Sequence, residues 1–295
     1  MDTQILGHYI AGEWTGADGT LESRNPSNTD EVVARFPDGG EAEVGQAVAA
    51  AKAAQPGWAN ASPEVRSDVL RKAGEALFAR SGEIGELLAR EEGKTRAEGV
   101  GETLRAARIL LYFAGEALRR HGQTLESTRP GLDVATYREA LGVVGLITPW
   151  NFPIAIPAWK AAPALAFGNT VVLKPANITS AVAAALTQVL HDAGMPPGVF
   201  NLVLGRGRVG QAIVDHRDVA AISFTGSQGV GSQVANSAVA RQARVQLEMG
   251  GKNPLVILAD ADLDKAVAIA ADGGFFQTGQ RGTASSRVIV EDAIH

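Results

Sequence analysis

The sequence predicts an α/β protein with a parallel β-sheet, and three observations carry this prediction. From Gly142 onward, apolar segments with the length of buried strands alternate with helical segments. Such alternation indicates βαβ units, whose strands run parallel. The preceding region, residues 41–120, has helical periodicity. A chain of 295 residues is long enough to bury the core of one large or two ordinary domains.

The first elements are short strands followed by helices. Residues 5–36 have the pattern of β-strands separated by turns, beginning with the segment HYIAGEW. From Glu41 the apolar residues recur at i, i+3 and i+4, which is typical of helices. Ser62 followed by Pro63 predicts a helix start, because serine caps a helix and proline suits its first turn. Four alanine-rich helices are predicted over residues 41–56, 62–82, 83–93 and 97–120.

A β-hairpin is predicted to follow the helices. The segment TLESTRPGLDVATYREA, residues 124–140, alternates in polarity on both sides of an Arg-Pro-Gly turn. This pattern is typical of two short antiparallel strands. A polar hairpin of this kind serves either as surface decoration or as an interface, and the residues leave both roles open.

The predicted parallel sheet begins after the hairpin. Its strands are the segments VVGLITP, NTVVLKPA, FNLVL and AAISFTG, with helices between them, and a fifth strand, NPLVILAD, follows the segment LEMGGK. A further helix is predicted from Leu263. Parallel units of this kind place ligands at the carboxyl ends of their strands. The intervening helices are predicted in IPAWKAAPALAFG, which ends at Gly168, in Ser180–Ala193 and in Val209–Asp215.

Composition excludes several classes of partner. The net charge of −5 and the pI near 5.6 argue against a nucleic-acid or anionic-membrane partner, since either would favour a basic surface. No apolar run approaches the roughly 18–20 residues that cross a bilayer. The amino terminus lacks the pattern of a secretory signal, so a cytoplasmic location is expected. With zero cysteines the chain forms no disulfides, and no metal site is predicted.

The loops after the first two strands of the sheet carry candidate functional residues. In TPWNFP, residues 148–153, two prolines bracket Asn151. They fix its backbone, as a preorganised amide donor to an oxyanion requires, although the segment also has the pattern of an ordinary proline-rich turn. In KPAN, residues 174–177, Lys174 is either solvated or placed to hold a ribose hydroxyl or a phosphate.

The next two strands end in glycine-containing loops. Gly205–Gly210 has the spacing G-x-G-x-x-G, but the acidic residue expected about 20 positions later is missing. The conventional dinucleotide fingerprint is therefore not satisfied, although the loop and the helix that follows could still bind a phosphate. In FTGS, residues 224–227, Ser227 is placed either to cap the next helix or to bind a pyrophosphate.

A single carboxylate follows in the segment LEMGGKNP. Glu248 lies between Leu247 and Met249 and before two glycines. A lone glutamate before two glycines is ordinarily a surface residue. Its apolar neighbours predict partial burial instead, and a partly buried carboxylate suits general-base catalysis.

These motifs resemble one family when they are taken in order. TPWNFP, KPA, FTGS, LEMGGKNP and GQR-x-TASSR resemble the aldehyde dehydrogenase superfamily, and the likeness extends from the amino-terminal β segment to His295. The segment GFFQTGQRGTASSR, residues 274–287, resembles the family's nucleophile segment, usually GQxC, with Gly282 at the cysteine position. The segment NFPIAIPAWKAAPALAFGNTVVLKPA is similar in sequence to the corresponding segment of bacterial semialdehyde dehydrogenases, including the 2-oxoglutarate semialdehyde (2,5-dioxopentanoate) group.

The resemblance implies a fold and a domain organisation. It implies a Rossmann-like parallel sheet in an NAD(P)-binding domain formed by residues 1–119 and 139–249. Residues 120–138 would form an oligomerisation hairpin, and residues 250–295 would begin a second α/β catalytic domain. An intact family member would be a homodimer or a homotetramer.

The resemblance also implies roles for individual residues. A cysteine thiolate would attack a small-molecule aldehyde, hydride would pass to NAD(P), and the thioester would be hydrolysed to a carboxylic acid. Asn151 would donate its amide to the oxyanion, and Glu248 would activate the water. Lys174 would bind the adenosine ribose, and Trp150 would pack beside the dinucleotide. Gly226 and Ser227 would contact the pyrophosphate, and the other expected cofactor contacts are Thr148, Pro149, Asn177, Gly205, Arg208, Gly210 and Thr225.

Three departures from the family pattern lead to further expectations. Gly282 supplies no nucleophile, so we expect no dehydrogenase activity. Asn177 stands where NAD-preferring members often carry a glutamate, and with Lys174 and Arg208 nearby this favours NADP over NAD. The chain ends before the family's EIFGP segment and its last strand, so apolar residues at 256–258 and 275–276 are expected to be exposed.

Two alternatives to a catalytic chain stay open. The chain could be a non-catalytic dinucleotide-binding or subunit-association module, or a fragment that does not fold stably alone. Beside the nucleophile position, Arg281 either attracts a substrate carboxylate or forms a structural ion pair, and the structural role is favoured.

Overall fold

The computed structural model describes residues 3–16, 20–119 and 122–295. Its first part contains the predicted short strands and four helices, with helix bounds that differ from the predicted ones by at most four residues. As predicted, Ser62 caps the second helix by accepting a hydrogen bond from the Val65 N–H. The elements are β1 (Gln4–Ile5), β2 (His8–Ile10), β3 (Glu13–Thr15), β4 (Leu21–Asn25), β5 (Asn28–Phe36), α1 (Glu41–Asn60), α2 (Pro63–Ala79), α3 (Ser81–Glu92) and α4 (Arg96–Ala117).

The predicted hairpin is present. It consists of β6 (Thr124–Glu126) and β7 (Asp133–Ala135), which pair antiparallel with Leu125 opposite Val134. Residues 120 and 121 of the predicted oligomerisation hairpin lie outside the described residues. Every residue of the two strands is exposed.

The predicted parallel sheet is also present, and it has seven strands in the order β12-β11-β8-β9-β10-β2-β3. All neighbouring pairs from β12 to β10 are parallel, whereas β2 and β3 join as an antiparallel edge. The helices α1, α5 and α7 pack against β8 and β9, the buried centre of the sheet. The elements are β8 (Val143–Ile147), α5 (Ala155–Ala166), β9 (Thr170–Lys174), α6 (Ser180–Asp192), β10 (Phe200–Leu202), α7 (Gly207–Asp215), β11 (Val219–Gly226), α8 (Gln228–Ala240) and β12 (Arg244–Met249).

The observed strands differ from the predicted series in two details. Strand β12, which carries Glu248, was not predicted, because its sequence RVQLEM mixes polar and apolar residues instead of forming an apolar run. It lies at the exposed edge of the sheet, where burial does not demand apolar residues on both faces. The predicted fifth strand, NPLVILAD, forms β13 (Asn253–Ile257) and pairs with a later strand outside the main sheet.

The last part of the chain forms a small separate layer. The parallel pair of β13 and β14 (Ser285–Val290) packs against α9 (Leu263–Phe275). The predicted exposure of apolar residues is confirmed, since Val256 is 57% exposed and Phe275 is 81% exposed. Within the described ranges, no helix is both long enough and apolar enough to cross a membrane.

The register of the sheet brings the candidate residues to one edge. Ile147 at the end of β8 lies beside Lys174 of β9 and beside Phe224 of β11. On the other side of β11, Thr225 pairs with Glu248. The loops after β8, β9, β11 and β12 therefore emerge together, as expected for the carboxyl ends of parallel strands.

Candidate active site

A cavity of about 1210 Å³ opens at this edge of the sheet. Helix α4 forms one wall, and the segment 276–283 forms another. The cavity brings together all three predicted catalytic positions, Asn151, Glu248 and Gly282. It is also lined by five of the predicted cofactor contacts, which are Pro149, Trp150, Thr225, Gly226 and Ser227.

Asn151 is held by its backbone and points its amide at the segment of the missing nucleophile. Its carbonyl oxygen accepts a hydrogen bond from Lys94 Nζ at 2.9 Å. Its Nδ2 donates to the carbonyl oxygen of Gln280 at 2.6 Å, two residues before Gly282. The amide is therefore a fixed hydrogen-bond donor that contacts the chain two residues from Gly282, the position that the family motif gives to the cysteine.

A buried ion pair supports the Asn151 loop. Lys94 Nζ lies 2.6 Å from Glu102 Oε2, and their side chains are 3% and 0% exposed. The other carboxylate oxygen accepts from the N–H groups of Ile154 and Ala155, at 3.1 Å each. A carboxylate is favourable there, because the first N–H groups of helix α5 carry the positive end of its dipole. The pair thus fixes both sides of the loop that presents Asn151.

Sequence reasoning missed Lys94 and Glu102, although one signal was available. Glu102 occupies the buried face of α4, which also carries Gly99, Thr103 and Ala106. A charged residue on the buried face of an amphipathic helix requires a partner. The helical periodicity therefore marks Glu102 as unusual, but only the folded chain shows that its partner is Lys94.

The exposure of Glu248 differs from the one predicted from its sequence neighbours. Its side chain is 45% exposed, so the expected partial burial is wrong. The reason is its position near the end of the edge strand β12, where it faces the cavity instead of the core. Thr225 Oγ1 donates to Glu248 Oε2 at 2.9 Å, and Lys160 Nζ lies 3.8 Å from the same oxygen. Glu248 is thus an oriented and solvent-accessible carboxylate, as activation of a water requires.

Lys160 is a second residue that sequence reasoning missed. It is buried beneath the end of β12 and donates to Ser223 Oγ at 2.8 Å and to Gln246 Oε1 at 3.2 Å. Burial lowers the pKa of Lys160 to about 8, an effect that the nearby Glu248 carboxylate partly opposes. The lysine therefore ties α5 to β11 and β12 below the candidate general base.

Gly282 lies in open space on the cavity wall. Its carbonyl oxygen accepts a hydrogen bond from Asn253 Nδ2 at 2.6 Å, which anchors the segment to β13. A Cβ atom built on Gly282 would meet no atom within 4 Å. Shortly before it, Gln277 and Thr278 have positive φ angles of 51° and 56°. The site therefore has room for a side chain at the position where the family's nucleophile would stand.

Two of the remaining predicted cofactor contacts, Lys174 and Thr148, lie at the end of β9 and of its neighbour β8. Lys174 is 8% exposed, and burial lowers its pKa to about 8. In the described part of the chain, no side chain or carbonyl accepts a hydrogen bond from its ammonium group. Thr148, at the neighbouring strand end, is also buried, and its hydroxyl has no partner among the described residues. Two adjacent unpaired polar groups fit a ligand that offers hydroxyl groups, such as a ribose.

The backbone of the glycine loop Gly205–Gly210 and the side chain of Arg208 are both held by contacts with residues 38 and 39. Gly205 has a φ of +139°, and a Cβ there would lie 2.9 Å from the Gly39 backbone nitrogen. Arg208 donates to the Gly39 carbonyl oxygen at 2.9 Å and lies 3.4 Å from Asp38 Oδ2. The guanidinium of Arg208 is thus already engaged by the chain, so it supplies less free positive charge than expected.

The other predicted cofactor contacts take part in helices or lie outside the cavity. Ser227 caps α8 by accepting from the Val230 N–H. Asn177 begins a short 3-10 helix that leads into α6, and Gly210 packs in α7 close to Lys174. Thr148, Lys174, Asn177, Gly205, Arg208 and Gly210 do not line the cavity that holds Asn151.

The structural role favoured for Arg281 is present in a different form. Its guanidinium donates to the carbonyl oxygens of Asp272 and Gly273, at 3.0 and 3.2 Å. It also lies over the Phe276 ring, 4.9 Å from the centroid. Arg281 therefore holds the end of α9 through carbonyl groups and not through an ion pair.

Comparison with known proteins supports the resemblance in the sequence. Residues 14–295 match the Aldehyde dehydrogenase family. The alpha-ketoglutaric semialdehyde dehydrogenase of Bacillus subtilis is 43% identical over 98% of this chain and 60% of its own length. The 2,5-dioxopentanoate dehydrogenase of Saccharolobus solfataricus is 42% identical, over 92% of this chain and 57% of its own length.

A solved structure gives the same result for the fold. The betaine aldehyde dehydrogenase of Staphylococcus aureus, in complex with NAD⁺, superposes with a TM-score of 0.94 at 33% identity, covering 99% of this chain and 58% of that protein. The chain thus spans about 60% of the length of the relatives it matches. On both sequence and structure, this chain is a member of the aldehyde dehydrogenase family.

Proposed function

We propose that this chain provides the NAD(P)-binding domain and the first part of the catalytic domain of a semialdehyde dehydrogenase. The domains would be residues 1–119 with 139–249, and residues 250–295. The observation that carries the proposal is the convergence of Asn151, Glu248 and the nucleophile position Gly282 on one cavity. The semialdehyde, of the 2-oxoglutarate semialdehyde type, is supported by the relatives that the chain matches.

The residues divide the chemistry of aldehyde oxidation between them. Asn151 would donate its amide to the aldehyde oxygen as negative charge develops on it. Glu248, oriented by Thr225, would accept a proton from the water that hydrolyses the acyl intermediate. NAD(P), when bound, supplies the hydride acceptor. Lys174 and Thr148, with their unpaired polar groups, would hold the cofactor's ribose.

The chain itself is proposed to be catalytically inactive. It contains zero cysteines, and Gly282 offers no side chain for covalent attack. Nearby hydroxyl groups belong to Thr283, Ser285 and Ser286, and no described carboxylate or imidazole is hydrogen-bonded to any of them. An unactivated hydroxyl is a weak nucleophile, so none replaces the thiolate.

The cofactor preference is proposed to be NADP, with NAD as the alternative. No carboxylate follows β9, where Asn177 stands, so nothing at that position repels a 2′-phosphate. Lys174 adds a cation at the same strand end, although Arg208 is engaged by Asp38 and Gly39. The preference therefore depends mainly on Asn177 and Lys174.

The second candidate function is a non-catalytic dinucleotide-binding or subunit-association module. The missing nucleophile favours it, and so does the hairpin of residues 120–138. Leu125, Leu132 and Val134 expose between 41% and 53% of their surface on that hairpin. We propose that these residues pair with another subunit in a homodimer or homotetramer.

Calorimetric titration of the chain with NADP and, separately, with NAD tests the proposal. Saturable binding of either nucleotide, tighter for NADP, is expected. No binding by a chain that circular dichroism shows to be folded would contradict a cofactor role. Aldehyde-dependent NAD(P)H formation by the unmodified chain would contradict the proposed inactivity. If Gly282→Cys restores turnover in a full-length protein, the result would favour the enzyme over the non-catalytic module.

A further inference from the structure

The sulfur atoms of this chain belong to methionine alone. The sequence contains zero cysteines and three methionines, Met1, Met195 and Met249. Met1 lies outside the described residues. Met195 is 5% exposed, whereas Met249 is 42% exposed and lines the cavity that holds Asn151. Met249 is therefore the more accessible of the two described thioether side chains, and no thiol competes with it for an oxidant.

The thioether of Met249 packs against the backbone of helix α8. A Cβ atom built on Gly231 would overlap Met249 Sδ and would lie 3.1 Å from its Cγ. The thioether therefore fills the space that any side chain at position 231 would need. Gly231 is buried within α8, and Met249 is the last residue of β12. The sulfur atom thus joins the end of an edge strand to the helix that packs beside it.

The ring of Phe224 occupies the same surface of α8. A Cβ atom built on Gly231 would lie 3.3 Å from Phe224 Cε1, and one built on Gly226 would lie 2.5 Å from Phe224 Cζ. Phe224 is 3% exposed, so its ring is fixed by its surroundings. The Met249 sulfur and the ring therefore pack together on α8, and the ring in turn packs against the backbone of Gly226, one of the predicted pyrophosphate contacts.

Oxidation of Met249 would disturb this packing. A peroxide transfers one oxygen atom to the thioether: the O–O bond breaks, an S=O bond forms, the sulfur loses two electrons, and hydrogen peroxide leaves as water. The sulfoxide is polar and larger than the thioether by one oxygen atom. Since the sulfur already lies against the Gly231 backbone, the added oxygen has no room on the α8 side. The side chain must then turn into the cavity, or α8 must move away from β12.

We propose that Met249 is a site of reversible oxidation by peroxide, and that its sulfoxide loosens α8 and so weakens nucleotide binding. The effect on the nucleotide rests on the proposed function. It follows because α8 begins directly after Ser227, its capping residue, and Thr225 and Gly226 precede that residue at the end of β11. A dithiol-dependent methionine sulfoxide reductase reverses the step, since two thiols form a disulfide and the oxygen leaves as water.

The test is a time course with hydrogen peroxide, followed by peptide mass spectrometry, thermal denaturation and calorimetric titration with NADP. We expect the peptide that contains Met249 to gain one oxygen atom about tenfold faster than the peptide that contains Met195, because their exposures are 42% and 5%. Tm should fall as the fraction of Met249 sulfoxide rises. The dissociation constant for NADP should increase about tenfold, and treatment with methionine sulfoxide reductase should restore both values.

Two variants isolate the Met249 sulfur, and each is compared with itself before and after peroxide. Met249→Leu keeps an apolar side chain of similar volume but cannot form a sulfoxide, so peroxide should change neither its Tm nor its affinity for NADP. Met195→Leu is the matched control, and it should respond to peroxide as the unmodified chain does.

Three results would overturn the inference. They are equal oxidation rates at Met195 and Met249, equal losses in Met249→Leu and the unmodified chain, and selective Met249 sulfoxide with an unchanged Tm. If the chain binds no nucleotide before oxidation, the proposed function is wrong, whereas the oxidation rates and Tm still test the role of Met249.

Discussion

Replacement of Lys94 by methionine should destabilise the chain severely. The substitution keeps most of the apolar side chain but removes the ammonium group that lies 2.6 Å from Glu102 and 2.9 Å from the Asn151 carbonyl. Glu102 would stay buried at 0% exposure with only the Ile154 and Ala155 N–H groups to compensate its charge. A second carboxylate, Glu92, lies 3.8 Å from the same ammonium and would lose that partner too.

The magnitude follows from the burial of the pair. Removing one member of a buried ion pair costs about 3–5 kcal/mol, because the other charge is left uncompensated. For a domain of this size, 1 kcal/mol corresponds to a change in Tm of roughly 2–4 °C. Lys94→Met should therefore lower Tm by roughly 6–20 °C.

Thermal denaturation followed by far-UV circular dichroism measures this effect. Lys72→Met is the matched control, since Lys72 is exposed on α2 and exposed substitutions usually change stability by less than about 0.5 kcal/mol. The double variant Lys94→Met with Glu102→Gln should recover part of the loss, because the uncompensated charge is gone while an acceptor for the α5 N–H groups remains. If Lys94→Met and Lys72→Met melt within a degree or two of each other, the pair does not support the Asn151 loop as argued.

Three other outcomes follow from the site and its surroundings. Burial raises the pKa of Glu91 to about 7 from its ordinary value of 4.5. The stability that the protonated Glu91 carboxyl contributes should therefore be lost as the pH rises from about 4.5 through about 7. Over this range Tm should fall less steeply in Glu91→Gln than in the unmodified chain, and parallel curves of Tm against pH would contradict this. Because burial lowers the pKa of Lys174 to about 8, nucleotide affinity should weaken as the pH rises through about 8, and calorimetry should show no such step in Lys174→Met. Asn177→Glu should shift the ratio of dissociation constants towards NAD by about tenfold, since a carboxylate repels a 2′-phosphate, and an unchanged ratio would refute the role of Asn177.

The fold was largely predictable because its strands and helices differ clearly in periodicity. Strands β8 and β9 are buried and almost continuously apolar, and they were predicted from that pattern. Strand β12 was missed because an edge strand tolerates polar residues, which erase the apolar run. The pairing of β13 with β14 depends on contacts between distant segments, which periodicity does not encode.

The site was predictable only where motifs follow strands. The convergence of Asn151 and Glu248 follows from the rule that carboxyl ends of parallel strands meet at one edge. The burial expected for Glu248 was wrong because its apolar neighbours belong to an edge strand. Lys94 lies just before α4 and Glu102 lies in it, and neither belongs to a loop motif. Their contact with the Asn151 loop arises from the packing of α4 against α5.

The hydrogen bond from Asn151 to Gln280 affects which acceptor can take the place of the Gln280 carbonyl oxygen on the Asn151 amide. An incoming aldehyde oxygen would have to replace a carbonyl oxygen that already accepts from the amide at 2.6 Å. The exchange of one neutral acceptor for another yields little net free energy, whereas a charged oxygen forms a bond roughly twice as strong. A charged oxygen should therefore displace the Gln280 carbonyl oxygen from the Asn151 amide more readily than a neutral oxygen does. In this structure the same bond connects the segment 276–283 to the loop after β8, so any group that displaces the Gln280 carbonyl oxygen also separates these two segments.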